Sequence, residues 1–249
     1  MRRFGLIGFP LGHSFSKRYF SEKFLRDNIS DCSYDNFPLP DISRLTDLIR
    51  ENDLEGLNVT IPYKSSVMQF LDKIDPEALE VGAVNVIRIK KTGLILSLSG
   101  FNSDITGIMD TLKPVTDREI PSAIVLGTGG SSKAVCHVLK KLKISFKLVS
   151  RDKKSDALTY TDLDPGILRN SHLIINTTPL GMYPDTEGKP DIDYNLLGPA
   201  HILFDLVYNP EITSFLKMGQ ERGCTVLTGL RMLYSQADRS WEIWNSTAL

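Results

Sequence analysis

The sequence predicts an α/β protein in two blocks, the second built on a doubly wound parallel sheet. Three observations carry that prediction. Short apolar runs alternate with amphipathic helical stretches through residues 104–228, a pattern that covers each strand with helices. A glycine-rich turn, Gly127-Thr128-Gly129-Gly130, joins one such run to one such helix. The preceding block also sets strand before helix and closes in a hairpin.

The first block opens with a strand from Arg3 to Phe9 and a helix from Ser16 to Asn28. A short strand near Tyr34 to Phe37, a helix from Asp41 to Asn52 and a strand from Gly56 to Thr60 follow. Pro62 then suits the first turn of another helix. Val84 to Ile89 and Leu94 to Leu98, joined by Lys90-Lys91-Thr92-Gly93, read as a β-hairpin. In the second block the strands are Ala123 to Leu126, Phe146 to Ser150, Leu173 to Asn176, Ile202 to Leu206 and Thr225 to Leu227. Helical crossovers join most of them. Ala134, Val135, Val138, Leu139 and Leu142 mark the apolar face of the helix after the glycine turn. A last helix, Leu230 to Trp244, carries an apolar face suited to packing back on the first block, with Trp241 and Trp244 as buried anchors. The expected division is residues 1–103, joined by the helix 230–249, and residues 104–229, with a cleft between the two. Clefts between domains are favoured ligand sites.

Bulk properties narrow the function classes. The 249 residues carry a net charge of −1, with 41% hydrophobic and 24% charged residues, values ordinary for a soluble globular chain. No overall field favours nucleic acid or an anionic membrane. Lys140, Lys141 and Lys143 read as a solvated helix end that suits the dipole. No apolar run is long enough to span a bilayer, and the N-terminus is interrupted by glycine too early for a signal peptide. Cys32, Cys136 and Cys224 are far apart and lack CxxC spacing, so a cytoplasmic location with reduced thiols is expected. His13, His137, His172 and His201 show no metal-ligand spacing, so no metal is expected.

The glycine turn carries the most chemistry. Between a strand and a helix it brings backbone N–H groups and a helix N-terminus against a pyrophosphate. Its spacing departs from G-x-G-x-x-G, since Ser132 holds the third position, and a plain tight turn is the alternative. The next strand ends in Ser150-Arg151. A dinucleotide fold reads the adenosine ribose there, and an Arg suits a 2′-phosphate. These features point to a Rossmann-like, dinucleotide-binding second block.

Polar residues of the first block cluster where its strands end. Ser14 and Ser16 open a helix and suit a carboxylate, with N-capping the simpler role for either serine taken alone. Asn58 and Thr60 share one side of a strand end, and Lys64 follows in the next helix's first turn, where the dipole disfavours a cation. Asn85 stands beside an apolar strand, and Asp104 stands at a helix start, where N-capping is the simpler role.

Taken together, these stretches resemble the shikimate dehydrogenase family over nearly the whole chain. Gly12-His13-Ser14-Phe15-Ser16, Asn58-Val59-Thr60-Ile61-Pro62-Tyr63-Lys64, Gly82-Ala83-Val84-Asn85 and Asn102-Ser103-Asp104-Ile105-Thr106-Gly107 carry the likeness in the first half. Gly127-Thr128-Gly129-Gly130, Asn176-Thr177-Thr178-Pro179-Leu180-Gly181-Met182, Asp205-Leu206-Val207-Tyr208-Asn209-Pro210 and Gly229-Leu230-Arg231-Met232-Leu233 carry it onward. The resemblance implies a reversible, NADPH-dependent reduction of 3-dehydroshikimate to shikimate on the way to chorismate and the aromatic amino acids. It implies Lys64 and Asp104 as the catalytic pair. Ser14, Ser16 and Tyr208 would hold the substrate carboxylate, and Thr60, Asn85, Asp104 and Gln236 its ring hydroxyls, with Asn58 also at the substrate site. Gly127, Thr128, Gly129, Gly130, Ser131, Ser150, Arg151, Lys154, Thr177, Thr178, Leu206, Gly229 and Met232 would line the cofactor, although core packing is an equal role for Met232.

The chain departs from the family at Lys17, where Pro is usual, at Ser103, where Thr is common, and at Ser214, where Pro often stands. No catalytic group is lost. In the loop Ser150-Arg151-Asp152-Lys153-Lys154, three cations face one anion, which favours NADP. Asp152 keeps NAD as the alternative, in the manner of a quinate/shikimate dehydrogenase, because a carboxylate suits a free 2′-OH. A non-catalytic metabolite sensor on the same fold is a further alternative, opposed by the intact Lys64 and Asp104. The expected partner is a small-molecule substrate, the expected assembly a monomer or homodimer.

Overall fold

The computed structural model describes residues 1–11, 15–93, 95–117 and 120–246. Ser14, with Gly12 and His13, therefore lies outside the described residues. The chain divides into two compact units, Met1–Ser103 with Ala237–Leu249, and Asp104–Gln236. The second boundary falls inside the last helix, not ahead of it, because the helix's first turns pack within the second unit.

The first unit runs β1 (Arg2–Gly8), α1 (Phe15–Arg26), β2 (Cys32–Pro38), α2 (Leu45–Glu51), β3 (Leu54–Val59), β4 (Lys73–Ile74), α3 (Pro76–Val81), β5 (Val86–Thr92) and β6 (Ile95–Phe101). These strands form one sheet in the order β2-β1-β3-β5-β6-β4. β2, β1 and β3 are parallel, whereas β5 runs antiparallel to β3 and to β6. One side packs on Leu45, Ile49, Leu54, Leu57 and Ile87. The other packs on an aromatic cluster in which Phe20 stacks on Tyr34 at 4.5 Å and Phe4 on Trp244 at 4.8 Å. Trp244 also satisfies its indole N–H on the carbonyl of Ile87 at 3.1 Å.

Two departures from the sequence expectations bear on function. No helix begins at Pro62. The Ile61–Pro62 bond is cis, and Tyr63 N–H closes a turn on the Thr60 carbonyl at 2.9 Å, the geometry of a type VI turn. Only a short 3-10 segment, Ser66–Phe70, follows. Lys64 thus sits in a turn, and the dipole objection to a cation there lapses. The hairpin strands are also longer than expected, since Lys90, Lys91 and Thr92 pair with Ser97, Leu96 and Ile95 instead of forming the turn. The helix α3 was legible but overlooked, with Asp75 as N-cap, Pro76 in the first turn and Gly82 past the end.

The second unit contains α4 (Asp104–Leu112), β7 (Ser122–Leu126), α5 (Gly130–Lys141), β8 (Ser145–Ser150), β9 (Leu158–Thr159), α6 (Pro165–Asn170), β10 (Leu173–Asn176), β11 (Ile202–Asp205), α7 (Ser214–Gln220) and β12 (Thr225–Leu227). The chain ends in α8 (Gly229–Asn245). All neighbours in the sheet, ordered β12-β11-β10-β7-β8-β9, are parallel. From β7 the chain steps outward to β8 and β9, then returns to lay β10 on β7's other side. That reversal creates a switch point between β7 and β10, where open α/β sheets bind ligands.

Candidate functional site

In the first unit, the β3 end and the segment before β5 are stitched by buried side chains. Asn58 is 6% exposed and Asn85 3%, so their amides need protein partners. Asn58 Nδ2 donates to Ser240 Oγ at 2.9 Å and to the Asn85 carbonyl at 3.3 Å, while its Oδ1 accepts from Tyr34 Oη at 2.9 Å. Asn85 Oδ1 accepts from Ser103 N at 2.7 Å, and Asn85 Nδ2 donates to Ser103 Oγ at 3.1 Å. The Ser103 and Ser240 hydroxyls meet at 3.3 Å. Burial pushes the Tyr34 phenol pKa far up, against a smaller opposing side-chain hydrogen bond from Ser16. The phenol is therefore a neutral donor at any physiological pH.

Thr60 and Lys64 belong to the same strand end. Thr60 N–H donates to the Ile7 carbonyl at 2.9 Å, and the Lys64 carbonyl accepts from Val84 N at 2.7 Å. That second bond ties the lysine's backbone to the residue preceding Asn85. Lys64 is half-buried, within reach of solvent.

In the second unit, Asp104 is the first residue of α4 and is 4% exposed. It lies within the first turn instead of capping it, and a carboxylate suits that position. Tyr208 and Gln236 are half-buried, in the loop after β11 and in α8. Met232 is buried against α4, where a Cβ on Gly107 would fall 2.7 Å from its carbonyl oxygen. Gly229 is buried as well, beneath the Leu206 and Val207 carbonyls.

The switch point gathers the glycine turn and the threonines. Thr177 Oγ1 donates to the Leu126 carbonyl at 2.7 Å, and Thr178 Oγ1 donates to Asn176 Oδ1 at 2.6 Å. Gly127 has φ +111°, and a Cβ there would lie 2.5 Å from Thr177 Oγ1, so only glycine fits. Gly129, the N-cap of α5, differs. Its φ is −86°, and a Cβ would meet nothing within 4 Å. The protein itself does not require glycine at 129; the space it leaves, at the N-terminus of a 12-residue helix, fits the pyrophosphate of a dinucleotide. Lys154 Nζ donates to Thr128 Oγ1 at 2.6 Å, bringing the loop after β8 against the glycine turn. Ser150 is buried, and Arg151 and Asp152 are exposed on that loop.

Beside the switch point lies a residue the sequence reading did not single out. Asp205 is fully buried and accepts from Asn176 Nδ2 at 3.0 Å, Val207 N at 3.0 Å and Thr213 Oγ1 at 2.6 Å. Burial pushes its carboxyl up to about 6 against these hydrogen bonds, which lower it. Its place in the Asp205-Leu206-Val207-Tyr208 stretch was the available signal. Among the described residues, no group of three or more His, Cys, Asp or Glu is placed to hold a metal ion, and no helix is long and apolar enough to cross a membrane.

Residues 6–87 match the family model of the shikimate dehydrogenase substrate binding domain. A protein of Methanococcus aeolicus named shikimate dehydrogenase (NADP(+)) is 36% identical, over 96% of this chain and 90% of its own. Among solved structures, shikimate dehydrogenase 1 from Peptoclostridium difficile superposes with a TM-score of 0.83 at 36% identity, over 100% of this chain and 93% of that one. A Thermus thermophilus shikimate 5-dehydrogenase solved with NADP(H) and shikimate gives a TM-score of 0.84 at 28% identity, over 98% and 94% of the two chains.

Proposed function

The chain belongs to the shikimate dehydrogenase family, and from that premise we propose that it catalyses the reversible, NADPH-dependent reduction of 3-dehydroshikimate to shikimate. The observation that carries this reading is the near full-length match to NADP(+)-dependent relatives, joined to an intact Lys64, Asp104 and glycine turn. The first unit, closed by the end of α8, is the substrate domain, and the second is the cofactor domain.

NADPH, when bound, supplies the hydride to the ketone carbon. Negative charge then builds on the ketone oxygen, and a donor must reach it in the transition state. Lys64 protonates that oxygen, with Asp104 as its acidic partner and as a holder of a ring hydroxyl. Ser14, Ser16 and Tyr208 bind the carboxylate. Thr60, Asn85 and Gln236 bind ring hydroxyls, and Asn58 supports them from below, since both of its amide hydrogens go to protein atoms. The glycine turn, Ser131, Thr177 and Thr178 border the dinucleotide, with Leu206 and Gly229 nearby. Arg151 binds the 2′-phosphate, and Lys154 assists. Cys32, Cys136 and Cys224 are free thiols, and burial pushes Cys32 and Cys136 up to about 11. The wide spacing of the three cysteines, without a CxxC pair, is what supports a cytoplasmic setting.

The test is a steady-state assay of the purified protein, crossing shikimate and quinate with NADP and NAD. Shikimate with NADP should give the highest kcat/KM. A preference for quinate with NAD would overturn the assignment in favour of the quinate/shikimate alternative.

A further inference from the structure

Two residues outside the family-matched site meet on its supporting amide. Tyr34, on β2, donates to Asn58 Oδ1, and Ser240, on α8, accepts from Asn58 Nδ2, both at 2.9 Å. Tyr34 is 4% exposed and Ser240 0%. The second hydrogen of Asn58 Nδ2 goes to the Asn85 carbonyl, which also accepts from Val59 N at 2.9 Å. A flipped Asn58 would set oxygen against that carbonyl and nitrogen against a phenol that must then turn its own proton elsewhere. One amide orientation is therefore enforced. Ser240 continues to Ser103 Oγ at 3.3 Å, and Ser103 grips the Asn85 side chain through both N–H and hydroxyl. Asn58, Ser240, Ser103 and Asn85 thus close a ring, joining residues up to 182 positions apart.

We propose that Tyr34 and Ser240 are positioning residues for the substrate ring: through Asn58 and Ser103 they fix the orientation in which Asn85 meets a ring hydroxyl. The inference rests on the shikimate reading above and adds two residues to it. Neither touches substrate. Tyr34 acts through the Oδ1 end of the amide and Ser240 through the Nδ2 end, so loss of either leaves the same amide loosely held.

The experiment compares Tyr34→Phe, Ser240→Ala and the double variant with wild type, reading KM for shikimate, KM for NADP, kcat and melting temperature. Each single change removes the hydrogen bond to Asn58, a net of about 1 kcal/mol that corresponds to roughly a 5-fold rise in shikimate KM. Tyr34→Phe also loses the Ser16 hydrogen bond and Ser240→Ala the one to Ser103, so the two are read together. NADP KM should stay within about 2-fold, an allowance under the same energy scale, and kcat should change less than shikimate KM. Because both residues act on one amide, the double variant should fall short of the product of the single effects. A lower melting temperature with unchanged shikimate KM would make the pair merely structural and overturn the proposal. So would equal rises in the two KM values, or a double variant that multiplies the single effects. If Ser240→Ala fails to fold, Ser240→Cys, which keeps the side-chain shape and weakens the acceptor, takes its place beside Tyr34→Phe, because Tyr34 alone also reaches Ser16. A wild-type protein with no turnover of shikimate would instead sink the functional reading, and the inference with it.

Discussion

The two units support their site residues by different chemistry. In the first, neutral amides and hydroxyls from β2, β3, the segment after β6 and α8 form one buried network around Asn58 and Asn85. In the second, Thr177 and Thr178 are held by Leu126 and Asn176, and Asn176 in turn donates to an ionisable carboxylate on the neighbouring strand, Asp205. A neutral network orients groups at any pH. A buried carboxylate does so only in the protonation state its partners demand, so sensitivity to pH is concentrated in the second unit's frame.

The largest test of this contrast lies on the first unit's side. There the proposed catalytic group is a cation, Lys64, whose backbone is tied to the residue before Asn85. Lys64→Ala should lower kcat by at least ~100-fold, the lower end of a general acid's contribution, with a much smaller change in shikimate KM. Near-normal turnover would remove Lys64 from the reaction and leave the network without a catalytic group to serve.

Asp205 tests the other side. Its carboxyl is pushed up to about 6 by burial, above its ordinary value of 3.8, so ionisation is opposed in the folded state. For a raised carboxyl the stabilising contribution is full below the unfolded value and is lost as pH rises through the folded one. The window is therefore from about pH 4 to about pH 6, and the full shift corresponds to about 3 kcal/mol. Asp205→Asn keeps an acceptor for Val207 N and Asn176 Nδ2, and its amide can donate to Thr213 Oγ1. Relative to wild type, the variant should gain stability as pH rises from 4 to 7. Urea unfolding at both pH values measures this, and a stability difference that stays constant would show that Asp205 does not titrate in that range.

The same contrast explains what was legible from residues alone. The second sheet could be read almost strand by strand because fully buried parallel strands are short apolar runs between turn signals. The glycine turn and the threonines after β10 are local words in the sequence, and the structure places them together. Tyr34 and Ser240 gave no such signal. A buried Ser in a helix and a Tyr in a strand read as ordinary core-edge residues until the chain brings them to Asn58. The stretch from Asn58 to Lys64 is legible as a motif, but its local conformation is not, because Pro62 suits a helix's first turn as well as a tight turn. Only β4 and β9, each two residues long, left too little pattern to see.

Cofactor choice sharpens the comparison at the edge of the second sheet. On the proposed role of Arg151, Arg151→Ala would remove a charge-assisted contact worth ~1.5–3 kcal/mol, and should shift the NADP-to-NAD ratio of kcat/KM by roughly 10- to 150-fold toward NAD. Asp152→Ala should move the ratio the other way by less, since the exposed carboxylate is screened. A wild-type ratio that already favours NAD, unchanged in Arg151→Ala, would overturn the 2′-phosphate assignment.

The smallest expected change in stability separates a glycine kept for the fold from one kept for a ligand. At Gly127 a Cβ would lie 2.5 Å from Thr177 Oγ1, on a backbone with φ +111°, so Gly127→Ala strains the protein whether or not a ligand is present. At Gly129 the backbone is ordinary and a Cβ would meet no protein atom within 4 Å. Gly129→Ala should therefore fold with a stability within about 0.5 kcal/mol of wild type, as for a surface change free of local strain. Its effect should appear instead in the KM for NADPH, since the added methyl occupies the approach of a pyrophosphate to the N-terminus of α5. Thermal unfolding without ligand, set beside NADPH titrations of turnover, reads both quantities. If Gly129→Ala keeps its KM for NADPH, the space above that residue is not where the dinucleotide lies, and the second unit's switch point would need another occupant.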